Sequence, residues 1–200
     1  MKNIVLIGMP GSGKSTLGVV LAKTLSMGFC DTDVFIQQFE KRKLQDIINS
    51  DGVEEFLKLE EKYLLSFESE NMVIATGGSA VLSEKAMLHL KRNASIIYLK
   101  VDYHNILRRI KNRKTRGIAM TDGQNLKDIY EQRTPLYEKY ADITLDCNNR
   151  WFYDIVDEIA EAIKEWEKSW TNINSSAFFK LNYILENFLT YEFLNILTAN

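Results

Sequence analysis

Short apolar runs alternate along the chain with longer stretches of helical periodicity. Asn3–Gly8 (NIVLIG), Gly28–Asp31, Met72–Thr76, Ser95–Val101 and Asp142–Leu145 have the character of buried strands. Helical spacing of apolar residues fills the intervals over Thr16–Leu25, Val53–Phe67, Glu84–Arg92, Tyr103–Asn112 and Leu126–Tyr140. It returns over Tyr153–Trp166, where Ile155, Val156, Ile159 and Ile163 share one face. Strands that are apolar throughout, each separated from the next by helices, predict an α/β fold. The expectation is a doubly wound, five-stranded parallel sheet with helices on both faces. No internal repeat or low-complexity tract breaks the alternation.

After about Lys168 the character changes. Trp170–Asn200 holds only three charged residues, Lys180, Glu186 and Glu192, among many Phe, Leu, Ile, Tyr and Asn. Phe178, Leu181, Leu185, Phe188 and Leu189 are helically spaced. The domain reading is therefore 1–168 as one functional domain and 169–200 as a C-terminal, helical extension for packing or an interface. A monomer is the default expectation, with dimerisation through the extension as the alternative.

Composition narrows the function classes. Two hundred residues suffice for one domain with a sizeable core. Lys and Arg total 25 against 27 Asp and Glu, a net charge of −2, which argues against a protein built to coat nucleic acid or an anionic membrane. Charged residues at 26% and only two prolines argue against wholesale disorder. Cys30 and Cys147 are too few for a disulfide framework and too scattered for a zinc site. With no secretory signal pattern after Lys2 and no apolar stretch near the ~20 residues of a membrane span, a cytoplasmic protein is expected.

The strongest local signal is Gly8-Met9-Pro10-Gly11-Ser12-Gly13-Lys14-Ser15, a complete G-x-x-x-x-G-K-[ST] pattern between a strand and a helix. Glycines let successive backbone N–H groups turn in on a phosphate, and the helix N-terminus adds partial positive charge. Lys14 reaches the β- and γ-phosphates of a nucleoside triphosphate, and the Ser15 hydroxyl suits Mg²⁺. A chance glycine-rich turn is a poor competitor in that context.

Weaker signals follow in order. Asp31-Thr32-Asp33 ends the second strand at the sheet edge where ligands bind, although two acids there also make a helix cap. That places Asp31 toward a metal and Asp33 toward a substrate hydroxyl. Paired glycines occur in Ala75-Thr76-Gly77-Gly78-Ser79, where a tight turn competes with close approach to a ligand. The nine residues Arg108–Arg116 hold six bases. Without aromatic interleaving these suit a kinase lid over phosphates better than a nucleic-acid patch. Arg133-Thr134-Pro135-Leu136-Tyr137 precedes the last strand.

Taken in order, the phosphate loop, D-T-D, Gly52-x-x-x-Phe56, A-T-G-G, basic lid and R-x-P-L-Y resemble the shikimate kinase family, within the nucleoside monophosphate kinase-like group. The resemblance covers Met1 to about Lys168. It implies transfer of the γ-phosphoryl of MgATP to the 3-hydroxyl of shikimate, with Mg²⁺ as cofactor, ATP as co-substrate, and neither nucleic acid nor membrane as partner. Residue by residue it implies that Gly11, Ser12, Gly13, Lys14, Ser15 and Thr16 cradle ATP. Arg109 and Arg150 would flank the adenine, Arg116 would close on the phosphates from a lid over about 112–122, and Ser15 with Asp31 would serve the metal. Asp33, Gly77, Gly78 and Arg133 would hold the acceptor, with an acceptor-binding helical segment over about 33–61. Lys14, Asp33 and Arg116 would be the catalytic set.

The departures gather at the acceptor. The family's F-R-x-x-E reads Phe56-Leu57-Lys58-Leu59-Glu60, so a second carboxylate-clamping arginine is replaced by Leu57 and Glu60 loses the guanidinium it would face. Lys58 stands about 100° further round the helix and cannot take over. Ser79 replaces a third glycine, and Arg116-Gly117 replaces an arginine–proline pair. Two rivals to shikimate phosphorylation follow. One is a related kinase acting on another small hydroxylated metabolite. The other is a non-catalytic nucleotide-binding protein, against which the intact Lys14, Ser15, Asp33 and Arg116 weigh.

Overall fold

A computed structural model describes residues 2–110, 117–121 and 123–165. Arg116, most of the expected lid and the expected C-terminal extension lie outside the described residues. The chain divides into two compact units, Met1–Val156 and Asp157–Asn200. In the second unit, 157–165 are helical.

The first unit contains five strands: β1 (Asn3–Ile7), β2 (Gly28–Asp31), β3 (Met72–Ala75), β4 (Ala94–Lys100) and β5 (Ile143–Asp146). They form one sheet in the order β2-β3-β1-β4-β5, with every pairing parallel. This is the α/β architecture the alternating pattern predicts, with strand ends within a residue of the sequence reading. Every residue of β1 is buried, as expected of a central strand covered on both faces. Each of Ile4, Leu6 and Ile7 contributes about 1.5–3 kcal/mol of burial.

Three helices stand between β2 and β3, where the sequence indicates a helix over Val53–Phe67 and a helical segment over about 33–61 without its internal breaks. They are α2 (Thr32–Glu40), α3 (Leu44–Asp51) and α4 (Val53–Leu65), following α1 (Lys14–Leu25). Lys41 and Gly52, at φ of 53° and 87°, end α2 and α3. Ile36, Leu44, Ile47 and Phe56 join Ala119 in a small apolar core of their own, against which Leu57 packs. After β3 come a single 3₁₀ turn (Ala80–Leu82), α5 (Glu84–Lys91), α6 (Tyr103–Arg109) and α7 (Leu126–Tyr140). Asn125 caps α7 in a reciprocal box with Asp128. No described helix is long and apolar enough to cross a membrane.

Candidate active site

The C-terminal ends of the strands surround a cleft of about 390 Å³. At one end lies the phosphate loop. Gly11 and Gly13 take φ of 82° and 107°, a region that costs a residue with a Cβ about 1–2 kcal/mol. Gly13 is the N-cap of α1 and no side chain caps it, so the first-turn N–H groups are left for a ligand. Ser12 Oγ is buried with no hydrogen-bond partner among the described residues, a polar atom suited to a phosphate oxygen. Lys14 is 7% exposed, and its Nζ donates to Gly8 O (2.8 Å) and Met9 O (3.0 Å). Burial lowers its pKa to about 8, while the nearby Asp33 and Asp31 carboxylates oppose that fall. Arg109 bridges this end by donating to Ser12 O and Cys147 O, both at 3.4 Å.

The two acids at the junction of β2 and α2 divide the work. Asp31 is the N-cap of α2, its Oδ1 accepting from the Asp33 and Val34 amides at 3.0 and 3.3 Å. Capping fixes Asp31 at the strand end and aims the first turn of α2, which carries Asp33 into the cleft wall. Desolvation and the neighbouring Asp31 raise the Asp33 pKa to about 6, with Lys14 opposing them.

Away from the loop, Arg133 lines the cleft and Glu60 borders a neighbouring cavity, each residue 2% exposed. Arg133 lies on α7; its Nη2 donates to Ala119 O at 2.6 Å and its Nε has no partner among the described residues. One turn on, Tyr137 donates its hydroxyl to Gly78 O at 2.6 Å and stacks on Tyr98 with centroids 5.1 Å apart. This ties α7 to the glycine turn after β3. Glu60 lies on α4 near Ser79, and its Oε1 is unpartnered among the described residues. Burial first, and Asp33 second, raise its pKa to about 7, against the pull of Ser79, Arg133 and Lys14.

Gly77 sits between the acids. A Cβ there would collide with Glu60 Oε1 and stand 2.8 Å from Asp33 Oδ1. The A-T-G-G signature therefore makes room for two carboxylates. Gly117 explains the departure from arginine–proline. Its φ is 61°, opposite in sign to what proline adopts, and a Cβ would stand 2.5 Å from Leu44 Cβ. Its N–H donates to Gln45 Oε1 at 3.2 Å, fastening this stretch to α3.

Of the residues singled out in the sequence, Gly11, Gly13, Lys14, Ser15, Thr16, Asp33, Gly78, Arg109 and Arg133 line one cleft. Ser12 and Gly77 lie directly behind it. Asp31 is outside the lining at the α2 cap, and Arg150 is exposed, donating to Asp146 O at 3.3 Å. Phe56, Thr76, Ser79, Ile118 and Ala119 also line the cleft without having been assigned to it. Tyr137 was visible as the end of R-x-P-L-Y, but nothing local showed that its hydroxyl would hold Gly78 O.

A parallel sheet with this strand order, a phosphate loop opening α1, a buried lysine and an acid facing an arginine pocket define a phosphate-loop kinase of small molecules. The shikimate kinase family model matches residues 10–164. The chain is 34% identical to shikimate kinase from Sulfurihydrogenibium sp. (strain YO3AOP1) over 165 residues, 82% of this chain and 99% of that one. It is similar to the solved shikimate kinase of Acinetobacter baumannii in complex with shikimate, with a TM-score of 0.75 and 29% identity over 82% of this chain and 94% of that one. It is also 32% identical over 192 residues to threonine synthase-like 1 from Pongo abelii, covering 92% of this chain but 24% of that protein. The chain belongs to the shikimate kinase family and is an ATP-dependent kinase.

Proposed function

We propose that the chain transfers the γ-phosphoryl of MgATP to the 3-hydroxyl of shikimate. The observation that carries this reading is a nearly inaccessible guanidinium with an unpartnered Nε, Arg133, in the same cleft as Asp33 and Lys14. That combination suits an acceptor with a carboxylate at one end and a hydroxyl at the other.

The phosphates lie on the backbone N–H groups of Gly11–Thr16, and Lys14 leaves the Gly8 and Met9 carbonyls to neutralise charge on the β- and γ-phosphates. Arg133 fixes the acceptor carboxylate and so aims the hydroxyl at the γ-phosphorus. Asp33 accepts the hydroxyl proton as the new O–P bond forms, and its raised pKa near 6 suits a base at neutral pH. Most of the rate enhancement comes from positioning and charge neutralisation. Ser15 and Asp31 offer hard oxygen donors that fit Mg²⁺, which prefers few protein ligands alongside phosphates and water and would supply charge neutralisation there. Arg116 enters as the family's lid arginine. Arg109 and Arg150 flank the adenine in this reading, supported for Arg109 by its bonds to Ser12 O in the phosphate loop and to Cys147 O just after β5.

The test is ADP release from MgATP in a coupled assay, with and without shikimate. Shikimate-dependent turnover is expected. Tight ATP binding without turnover on shikimate would discard shikimate as acceptor, and absence of turnover with every hydroxylated acceptor would favour a non-catalytic nucleotide-binding protein.

A further inference from the structure

Arg133 faces the cleft with one hydrogen bond already made: its Nη2 donates to Ala119 O at 2.6 Å. A guanidinium grips a carboxylate through a rigid planar fork, so the carbonyl that fixes one arm of the fork also fixes how the clamp is presented. Ala119 belongs to a short stretch, 117–119, of which all three residues line the cleft. Support behind this stretch is uneven. Ala119 packs in the apolar cluster with Leu44 and Phe56, whereas Ile118 also borders a second cavity of about 980 Å³ beside α3 and the start of α4. Chain that runs between two cavities lacks contact atoms on part of its surface and depends the more on its hydrogen bonds.

At Gly117 that hydrogen bond comes from Gln45, a half-buried residue in the first turn of α3 that stands outside the cleft lining. Its Oε1 accepts from Gly117 N at 3.2 Å, and its Nε2 donates to Asn49 Oδ1 at 2.9 Å, one turn further on. The bond to Asn49 turns the amide so that its oxygen faces the Gly117 N–H. The family pattern has proline at this position, which has no N–H to give; here glycine supplies one and Gln45 receives it. The φ of 61° at Gly117 is closed to proline, so the glycine and the contact belong together. A continuous path results, from Gln45 Oε1 to Gly117 N, along the main chain to Ala119 O, and on to Arg133 Nη2.

We propose that Gln45 is a positioning residue for the acceptor: it holds Gly117 so that Ala119 O presents the Arg133 guanidinium to the acceptor carboxylate. The inference rests on the reading of shikimate as acceptor and adds to it a residue from outside the cleft. A better-presented clamp binds the acceptor equally well before and during phosphoryl transfer, so Gln45 acts on KM and not on kcat.

Gln45→Met, of similar length, and Gln45→Ala, which adds no bulk, each remove the acceptor for the Gly117 N–H, whereas Gln45→Glu keeps one. Kinetics of the full chain are measured with shikimate and MgATP varied in turn, and with methyl shikimate, an ester without the negative charge, as competitor. The Met and Ala variants should raise the KM for shikimate about three- to tenfold, the worth of one hydrogen bond. Their kcat and KM for MgATP should stay within about twofold. The ratio of the methyl shikimate inhibition constant to the shikimate KM should fall by the same factor, because an uncharged ester gains little from an oriented guanidinium. Gln45→Glu should keep the KM for shikimate close to that of the unmodified chain. An unchanged KM in both the Met and the Ala variant overturns the inference and leaves shikimate phosphorylation intact. So does an equal loss for shikimate and its ester, or an equal loss in kcat or MgATP affinity, either of which marks a general loosening of the fold. Absence of shikimate turnover by the unmodified chain overturns the reading of the acceptor and this inference with it.

Discussion

The two ends of the cleft are built in different ways. At the nucleotide end, function is carried by backbone: N–H groups displayed by Gly11 and Gly13, a helix start that no side chain caps, and a lysine held by two loop carbonyls. At the other end, where we propose that the acceptor binds, the polar groups are side chains from separate elements: a half-buried Asp33 from α2 and a buried Arg133 from α7 in the cleft lining, with a buried Glu60 from α4 beside Asp33 at Gly77. Among the described residues the first end leaves one buried side-chain atom without a partner, Ser12 Oγ, whereas the second leaves two, Glu60 Oε1 and Arg133 Nε. A backbone cradle fits any triphosphate and leaves little to vary. A pocket of side chains can be retuned by one substitution, and all the departures from the family pattern fall on it or on the adjoining stretch at Gly117.

The largest expected effect tests the nucleotide end. Lys14→Ala should lower kcat/KM by about 10³ or more, since it removes the cation that meets charge developing on the phosphates. Near-normal turnover of this variant in the coupled assay would break the assignment of the loop. Asp33→Asn keeps the shape of the residue but cannot take a proton. It should cost about 10²–10³ in kcat while titration calorimetry finds ATP affinity little changed, and a loss confined to ATP affinity would move Asp33 to the nucleotide end.

Two further variants sharpen the acceptor end. The folded-state pKa of Glu60 is raised from 4.5 to about 7, so the fold favours the neutral acid. The unfolded chain releases this proton near pH 4.5 and the folded chain only near pH 7, so stability falls as pH rises through that window. Glu60→Gln should therefore match the unmodified chain near pH 4 and exceed it by about 3 kcal/mol at pH 8 in urea unfolding. Equal pH dependence in the two proteins would mean that Glu60 is satisfied by a partner. The smallest effect is expected of Leu57→Arg, which should lower the KM for shikimate about tenfold by returning a second clamp on the carboxylate. An unchanged KM would show that this position does not face the acceptor.

Legibility in the sequence follows the same division. The phosphate loop was readable because its chemistry is local: eight consecutive residues supply strand end, turn, lysine and helix start. The strands were readable because burial on both faces leaves an unbroken apolar run. Between Asp33 and Glu61 the start of α4 was legible in the helical spacing over Val53–Phe67, but not the division of the stretch before it into α2 and α3, because the break at Lys41 is a left-handed cap on a residue with no turn signature. Asp31 was assigned to a metal, and the cap it also makes on α2 was recognised only as an alternative. Glu60 was visible only as a residue missing its arginine; that its Oε1 would be buried beside Asp33 at Gly77 depended on how α4 meets the glycine turn.

By itself the sequence determined the class of fold, the triphosphate cradle and the family's order of motifs, since each is encoded in neighbouring residues or in a short period. Tertiary structure alone decided the strand order, the tie from Tyr137 to Gly78, and the approach of Glu60 on α4 and Asp33 on α2 to each other at Gly77. The physical reason is burial. A backbone turn shows its preferences in its own residues, but the charge state and partners of a buried side chain are set by whatever the rest of the chain packs around it.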